Sequence, residues 1–226
     1  NSVTGEIESR TYFKPIHRGA MLETYHDGTQ EVVGTTFIDD CQWDRRAEWT
    51  VYAATTTFDT VNGQMAITTP GTSPGRVNWV NGGSFAEGII RAKIKQSNWD
   101  TQGIICFCSK TAYNGEPYRT GNHYYVELYY TTYGWVRLVK VVNGTATALA
   151  SSAFTPTDAT AYDVMILKVG SSIKVYVDGV LKISYSDSSF VSGRVGFGVQ
   201  YWRTGNVYFS DIQIIAASPD ATNGIA

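Results

Sequence analysis

Apolar and polar residues alternate along much of this chain with a period of two. In residues 88–96, Ile90, Ala92 and Ile94 share one face while Arg91, Lys93 and Lys95 share the other. In residues 173–177, Ile173, Val175 and Val177 oppose Lys174 and Tyr176. That period places successive side chains on opposite faces of a strand, one toward a core and one toward water. Asp178-Gly179 separates IKVYV from VLKIS and predicts a two-residue hairpin, because a type I′ turn needs φ > 0 at both central residues. GRVGFGVQYW and NVYFSDIQI continue the run of strands to Ile214, and Asn62-Gly63 and Asn143-Gly144 mark further turns. HYYVELYY carries large residues on both faces. Tyr124, Val126 and Leu128 are assigned to the core, and Tyr125, Glu127 and Tyr129 to an open face where a ligand groove would lie. No window sustains a 3.6-residue period, so no ordinary helix is predicted. The fold class is an all-β antiparallel sandwich.

The first 35 residues read differently. An irregular arm, NSVTGEIESRTYFKP, leads into a predicted hairpin, MLETYH-DG-TQEVV, around Asp27-Gly28. The expected organisation is an N-terminal strand-forming arm over 1–35, one sandwich over 36–216 and a turn-rich tail over 217–226. A chain of 226 residues buries one sizeable core. An extended arm of this kind can complete the sheet of a neighbouring subunit by β-strand addition, or cover an edge of its own sheet. Within the sandwich, a long loop containing Gly, Asn and Pro is predicted from Lys110 to Asn122.

Composition narrows the partners. Charged residues make up 17% of the chain and the formal net charge is −2, so no basic face is available for a phosphate backbone and nucleic acid is not an expected partner. No apolar run reaches the roughly 20 residues of a membrane-spanning helix, so no transmembrane segment is predicted. A surface vocabulary of Thr, Ser, Asn, Gly and Tyr points to a secreted or cell-surface protein, and an initial Asn to a processed or excised chain. The three cysteines form no disulfide framework. Cys106 and Cys108 stand two apart on one predicted strand, project from the same face and cannot easily bridge. Cys41 pairs with one of them, or all three are small buried hydrophobes. His17, His26 and His123 are not spaced to complete a zinc site. Asn143-Gly144-Thr145 is a glycosylation sequon, but the hairpin turn explains the Asn-Gly pair by itself.

Taken in order, the Asp-Asp start, Trp-Thr-Val, Asn-Gly-Gln-Met, Tyr-Tyr-Val-Glu-Leu, Val-Tyr-Val-Asp-Gly, Gly-Arg-Val-Gly-Phe-Gly and Val-Tyr-Phe-Ser-Asp-Ile resemble the concanavalin-A-like (laminin-G-like) jelly-roll superfamily. The branch is the one holding carbohydrate-binding modules and the sandwich domains of glycoside-processing enzymes, and the resemblance covers residues 36–216. It implies an antiparallel jelly roll with Trp49 packed at the start of the domain. It also implies a structural calcium joining the first strand to the last, for which Asp39, Asp40 and Asp211 are the matching carboxylates; calcium needs six to eight oxygens, so carbonyls and water would complete the shell.

Sugar sites combine flat aromatic platforms with a few polar groups, and 15 Tyr and 6 Trp supply the platforms. The candidate ligand contacts are Trp99, Tyr113, Tyr118, Arg119, Tyr125, Glu127, Tyr129, Trp202 and Arg203, each of which would otherwise serve in cross-strand packing. Catalysis has less support. The glucanase branch places its acids as Glu-x-Asp-x-x-Glu on one strand, and here Glu127 stands alone among aromatics. His123, Tyr125 and Arg119 match no lyase motif, and Gly-x-Ser-x-Gly is missing. The expectation is an extracellular, non-catalytic carbohydrate-binding sandwich with a polysaccharide or glycan as partner; if it were an enzyme, it would be a glycoside hydrolase or polysaccharide lyase. The alternative is a self-assembling subunit of a surface fibre or filament, joined through residues 1–35.

Overall fold

A computed structural model describes residues 20–22, 25–26, 30–31, 34–52, 55–70, 75–82, 84–97, 101–117, 119–129, 134–200 and 204–217. The strands are β1 (Ala20–Leu22), β2 (Tyr25–His26), β3 (Gln30–Glu31), β4 (Gly34–Asp39), β5 (Trp49–Thr50) and β6 (Thr56–Asp59). They continue as β7 (Gln64–Pro70), β8 (Arg76–Val80), β9 (Gly88–Gln96), β10 (Gln102–Ser109), β11 (His123–Tyr129) and β12 (Trp135–Val142). The series closes with β13 (Thr145–Ala153), β14 (Ala161–Val169), β15 (Ser172–Val177), β16 (Val180–Ser186), β17 (Arg194–Gln200) and β18 (Thr204–Ala216). Among the described residues the one helical element is a 3-10 turn, Arg46–Glu48.

Two antiparallel sheets stack as a jelly-roll sandwich. The nine-stranded sheet runs β1-β4-β18-β9-β14-β15-β16, with β7 also paired to β18 and β6 to β7. The seven-stranded sheet runs β13-β12-β11-β10-β17-β8-β5. β2 and β3 pair antiparallel with Tyr25 opposite Glu31, while the turn expected at Asp27-Gly28 lies outside the described residues. β1 lies along β4 of its own chain, Ala20 opposite Thr36.

The turn chemistry behaves as the sequence dictates. Asp178 and Gly179 hold φ of 49° and 76°, and Asn143 and Gly144 hold 49° and 78°, as a type I′ hairpin requires. Gly144 is doubly constrained, since a Cβ there would lie 2.6 Å from the Arg119 carbonyl oxygen.

Alternation correctly assigns the core. Ile90, Ala92, Ile94, Ile173, Val175 and Val177 are buried between the sheets together with Tyr124, Val126 and Leu128. Each Ile, Val or Leu side chain among them contributes about 1.5–3 kcal/mol by leaving water. Trp49 joins them at the domain's start, edge-on to Phe37 at 5.6 Å and to Phe197 at 5.8 Å. Lys168 and Tyr124 find partners inside the sandwich. Lys168 is 2% exposed, and its Nζ donates to the carbonyls of Ala86 and Gly170 at 2.9 Å and of Val191 at 3.3 Å. Tyr124 donates its hydroxyl to Asp187, which also receives Lys140 Nζ at 2.6 Å. Burial opposes ionisation of Asp187, but these bonds hold its carboxyl below the usual carboxylate range.

The cysteines depart from expectation in one respect. All three are free and buried, so no bridge forms. Cys106 and Cys108, predicted to share a face, point to opposite sides of β10: Cys106 to its outer surface and Cys108 into the sandwich. A β-bulge between Cys106 and Ser109, with Cys108 at φ 55°, breaks the two-residue period there.

Candidate functional site

The strand register places a defined set of side chains on the outer face of the seven-stranded sheet. Along β11 these are His123, Tyr125, Glu127 and Tyr129; opposite them on β12 stand Val141, Val139, Arg137 and Trp135. On the other flank β10 presents Cys106 beside Tyr125 and Ile104 beside Glu127. β17 follows with Gly196, Gly198 and Gln200, the last opposite Gln102, and β8 with Trp79 and Val77.

Half of this face is closed. Val77, Trp79, Ile104, Cys106, Tyr113, Tyr125, Val139 and Val141 form a second apolar cluster outside the sandwich, with Tyr52 and Ala112 against it. Tyr113 reaches in from the loop between β10 and β11. Its ring meets Trp79 at 4.8 Å, and its carbonyl accepts the Trp79 indole N–H at 3.2 Å. Its hydroxyl is hydrogen-bonded to Nε2 of His123 at 2.9 Å, while the imidazole also bonds the backbone of Pro117. Burial lowers the His123 pKa to about 4 and pushes the Tyr113 phenol far up, so this clasp is uncharged at neutral pH. The open face expected for Tyr125 is therefore corrected: Tyr125 is 1% exposed, because the loop that leads into its own strand folds back over it.

The other half is a polar and aromatic patch at the far end of β11 and β12. Glu127 is 0% exposed, which also corrects its expected place on an open surface. Its Oε1 takes both Nε and an NH2 group of Arg137, its cross-strand neighbour. Burial raises the Glu127 pKa, and the Arg137 guanidinium and the Trp135 indole oppose that shift. Removing one partner from such a buried pair typically costs about 3–5 kcal/mol, because the other charge is left uncompensated. Arg137 also lies over the Trp135 ring, 5.1 Å from its centroid. Trp135 and Tyr129 are half-buried and stacked on each other, 4.7 Å apart and 15° from parallel. The Tyr125 phenol, raised first by burial and then by the Glu127 charge, hydrogen-bonds the Gln200 side chain and so ties β17 to the patch. The described neighbours of Glu127 on this face are Tyr125, Tyr129, Ile104, Trp135 and Arg137, and none offers the second carboxylate that glycoside hydrolysis uses.

Of the candidates read from sequence, Tyr129 and Glu127 come together here, with Tyr125 beneath the roof beside them. Arg119 does not join them. It lies in the roofing loop with its side chain 68% exposed and pairs with Glu116 at 3.5 Å. Trp99, Tyr118, Trp202 and Arg203 lie outside the described residues. Trp135, Arg137 and Gln200 were missed, although WVRLVK alternates directly after the HYYVELYY strand and placed Trp135 and Arg137 within reach of a cross-strand argument.

The three carboxylates matched to calcium do not face one another. Asp39 is 0% exposed; Oδ1 accepts the Cys41 N–H at 2.9 Å and Oδ2 the Trp49 indole N–H at 3.1 Å. Asp40 is exposed and caps the Gln42 N–H at 3.1 Å. Asp211, at a bulge of β18, points outward to Lys93 Nζ at 2.8 Å. Among the described residues no cluster of three or more His, Cys, Asp or Glu suits a metal. As a set, these residues do not fit the ion.

Neither a protein-family model nor a curated protein matches the chain. Solved structures match its fold. The carbohydrate binding module CBM66 from Bacillus subtilis superposes with a TM-score of 0.60 at 20% identity, over 74% of this chain and 94% of that one. A Bacillus subtilis protein of unknown function with a galectin-like fold gives 0.65 at 12% identity, over 80% and 95%. A Bacillus licheniformis beta-glucanase gives 0.58 at 14% identity, over 80% and 97%. At these identities the likeness is one of fold, an antiparallel jelly-roll sandwich of the kind that the resemblance implied.

Proposed function

We propose that this protein is a non-catalytic carbohydrate-binding sandwich that holds a glycan at the Tyr129–Trp135 end of the outer face, outside the cell. The carrying observation is the half-buried aromatic stack set beside the buried Glu127–Arg137 pair. An aromatic ring offers a flat apolar surface to the C–H face of a sugar, and a fixed charged pair orients its hydroxyls. Structural likeness to a carbohydrate binding module and to a beta-glucanase supports the reading by analogy of fold. The lone carboxylate supports binding without cleavage.

Affinity electrophoresis through gels containing a panel of polysaccharides tests it. The protein is retarded by at least one polymer, Trp135→Ala and Tyr129→Ala lose the retardation, and no reducing ends are released. Mobility unchanged in every gel would remove the binding reading, and release of product that disappears in Glu127→Gln would replace it with an enzyme. The filament alternative needs β1 to leave β4 of its own chain for that of a neighbour. Size-exclusion of the full chain over a concentration series tests it, with a single monomer peak against it.

A further inference from the structure

The last strand of any open sheet turns a row of backbone N–H and C=O groups outward, and folds guard such edges with short strands, charges or bulges. Among the described strands most edges of this sandwich are guarded. β1 and β5 end their sheets with three and two residues, and β6 has four and finishes on Asp59. β16 carries Lys182 as the extra residue of a bulge opposite β15. β13 is the exception. It closes the seven-stranded sheet with nine residues, TATALASSA, that include no charge and no proline, and Thr145, Ala146, Thr147 and Ala148 are all exposed. Its one interruption is a bulge at Leu149, so an unbroken run extends from the Asn143-Gly144 turn to Ala148. The hairpin fixes which groups of that run face outward. In a two-residue loop the flanking pair, Val142 and Thr145, is hydrogen-bonded, so Thr145 and Thr147 direct their backbone groups to β12 while Ala146 and Ala148 direct theirs away from it.

We infer that β13 is a homodimer interface, pairing antiparallel with β13 of a second copy around a two-fold axis at Thr147. Ala146 then stands opposite the partner's Ala148, and each of the two symmetric pairs exchanges both of its N–H···O bonds. Thr147 meets the partner's Thr147 in a pair without backbone bonds, where Cα atoms come about 4.5 Å apart. Self-complementarity, side-chain size and charge select a second copy as the occupant. An edge strand is its own antiparallel complement, so one surface serves both partners and the assembly closes at the dimer. A foreign peptide added to an edge is recognised through pockets for its alternate side chains, and the Ala and Thr side chains of this run are too small to wall a pocket. No charge on β13 opposes the approach of a like strand. The adjoining edge strand, β16, packs against β13 and carries exposed Val180 and Leu181, an apolar continuation of the same border, while the Lys182 ammonium is turned over the Phe154 ring. A two-fold axis between antiparallel neighbours runs perpendicular to their sheet, so the two outer faces merge into one surface with both Tyr129–Trp135 stacks facing the same way.

Sedimentation equilibrium of the full chain, carried up to about 500 μM, tests the inference and is expected to show monomer and dimer with nothing larger. Ala146→Pro removes an outward N–H and no bond of its own sheet, and Thr147→Lys sets like charges across the axis. Each, checked for an unchanged far-ultraviolet spectrum, weakens dimerisation by about tenfold or more. Thr147→Cys gives a position-specific readout, because the native cysteines are buried and free. Under mild oxidation it is trapped as a disulfide-linked dimer, whereas Thr145→Cys, off the axis, is not. A monomer at every concentration overturns the inference. A dimer that both substitutions leave unchanged and that Thr147→Cys does not trap lies on another surface and overturns it too. Trapping by Thr145→Cys in place of Thr147→Cys overturns the register, and growth into larger species overturns closure by a two-fold axis.

Discussion

The carboxylate of Asp39, at the end of β4 in the nine-stranded sheet, accepts the indole N–H of Trp49, which begins β5 in the seven-stranded sheet. The bond crosses the sandwich where the chain passes from one layer to the other. Its second oxygen receives the Cys41 N–H within the connecting turn. Asp39→Ala leaves both donors buried and unmet and is expected to cost about 3 kcal/mol, read by urea unfolding, with Asp39→Asn recovering part of it. Since both oxygens are engaged and Asp211 is held by Lys93, calcium or a chelator should leave the melting temperature unchanged. A rise of several degrees with calcium would revive the ion that the family resemblance implied.

His123 gives stability a pH dependence of known sign. Its folded pKa, about 4, lies below the ordinary 6.5, because burial disfavours the imidazolium. The unfolded chain therefore binds the extra proton first as pH falls. The stabilisation is whole above about 6.5 and lost progressively down to about 4, amounting to about 3 kcal/mol. Glu127 and Asp39, whose pKa values are raised by burial, act in the opposite direction, so the measurement is a difference. The gap in unfolding free energy between the parent and His123→Phe should narrow between pH 7 and 4.5. A constant gap would mean that the Tyr113–His123 clasp does not form.

Lys168 is a cation held by carbonyls. Its three acceptors belong to three separate segments, at Ala86, Gly170 and Val191, which it gathers at one end of the sandwich. Lys168→Met keeps the aliphatic stem and removes the donors, with an expected loss of about 3 kcal/mol and faster amide exchange at the Phe85–Gly193 bridge. Retained protection at that bridge would argue that the ammonium is dispensable.

Gly144 couples the β12–β13 hairpin to the roofing loop. Its N–H donates to the Gly121 carbonyl at 3.1 Å, and the space its missing side chain leaves is filled by the Arg119 carbonyl. Gly144→Ala combines a left-handed backbone with a clash, and about 2 kcal/mol or more is expected. Asn143→Gly, at the neighbouring left-handed position, should be nearly neutral. Equal effects at the two sites would mean that turn strain alone is responsible.

Local pattern carried the sandwich far into view. Alternation at Ile90, Ala92 and Ile94 and the Asp-Gly turn at 178–179 depend on neighbours in sequence, and both appear in the fold. The site was less legible for an equally physical reason. Tyr125 reads as solvent-facing by parity, yet Tyr113 covers its neighbourhood from a loop whose path no periodicity describes. The placement of Cys108 depended on a left-handed residue that nothing in Cys-Phe-Cys announces. Glu127 was singled out as an isolated acid, but its meaning lies in Arg137, ten residues on and directly across a strand pair.

The bulge that turns Cys106 and Cys108 to opposite sides of β10 places Cys106 in the outer apolar compartment and Cys108 in the inner one, which also holds Cys41. Burial pushes Cys108 up to about 12 and Cys106 higher still, so neither reacts while its compartment is shut. Alkylation rates of the two therefore act as separate clocks, one timing excursions of the roof and the other timing rupture between the layers.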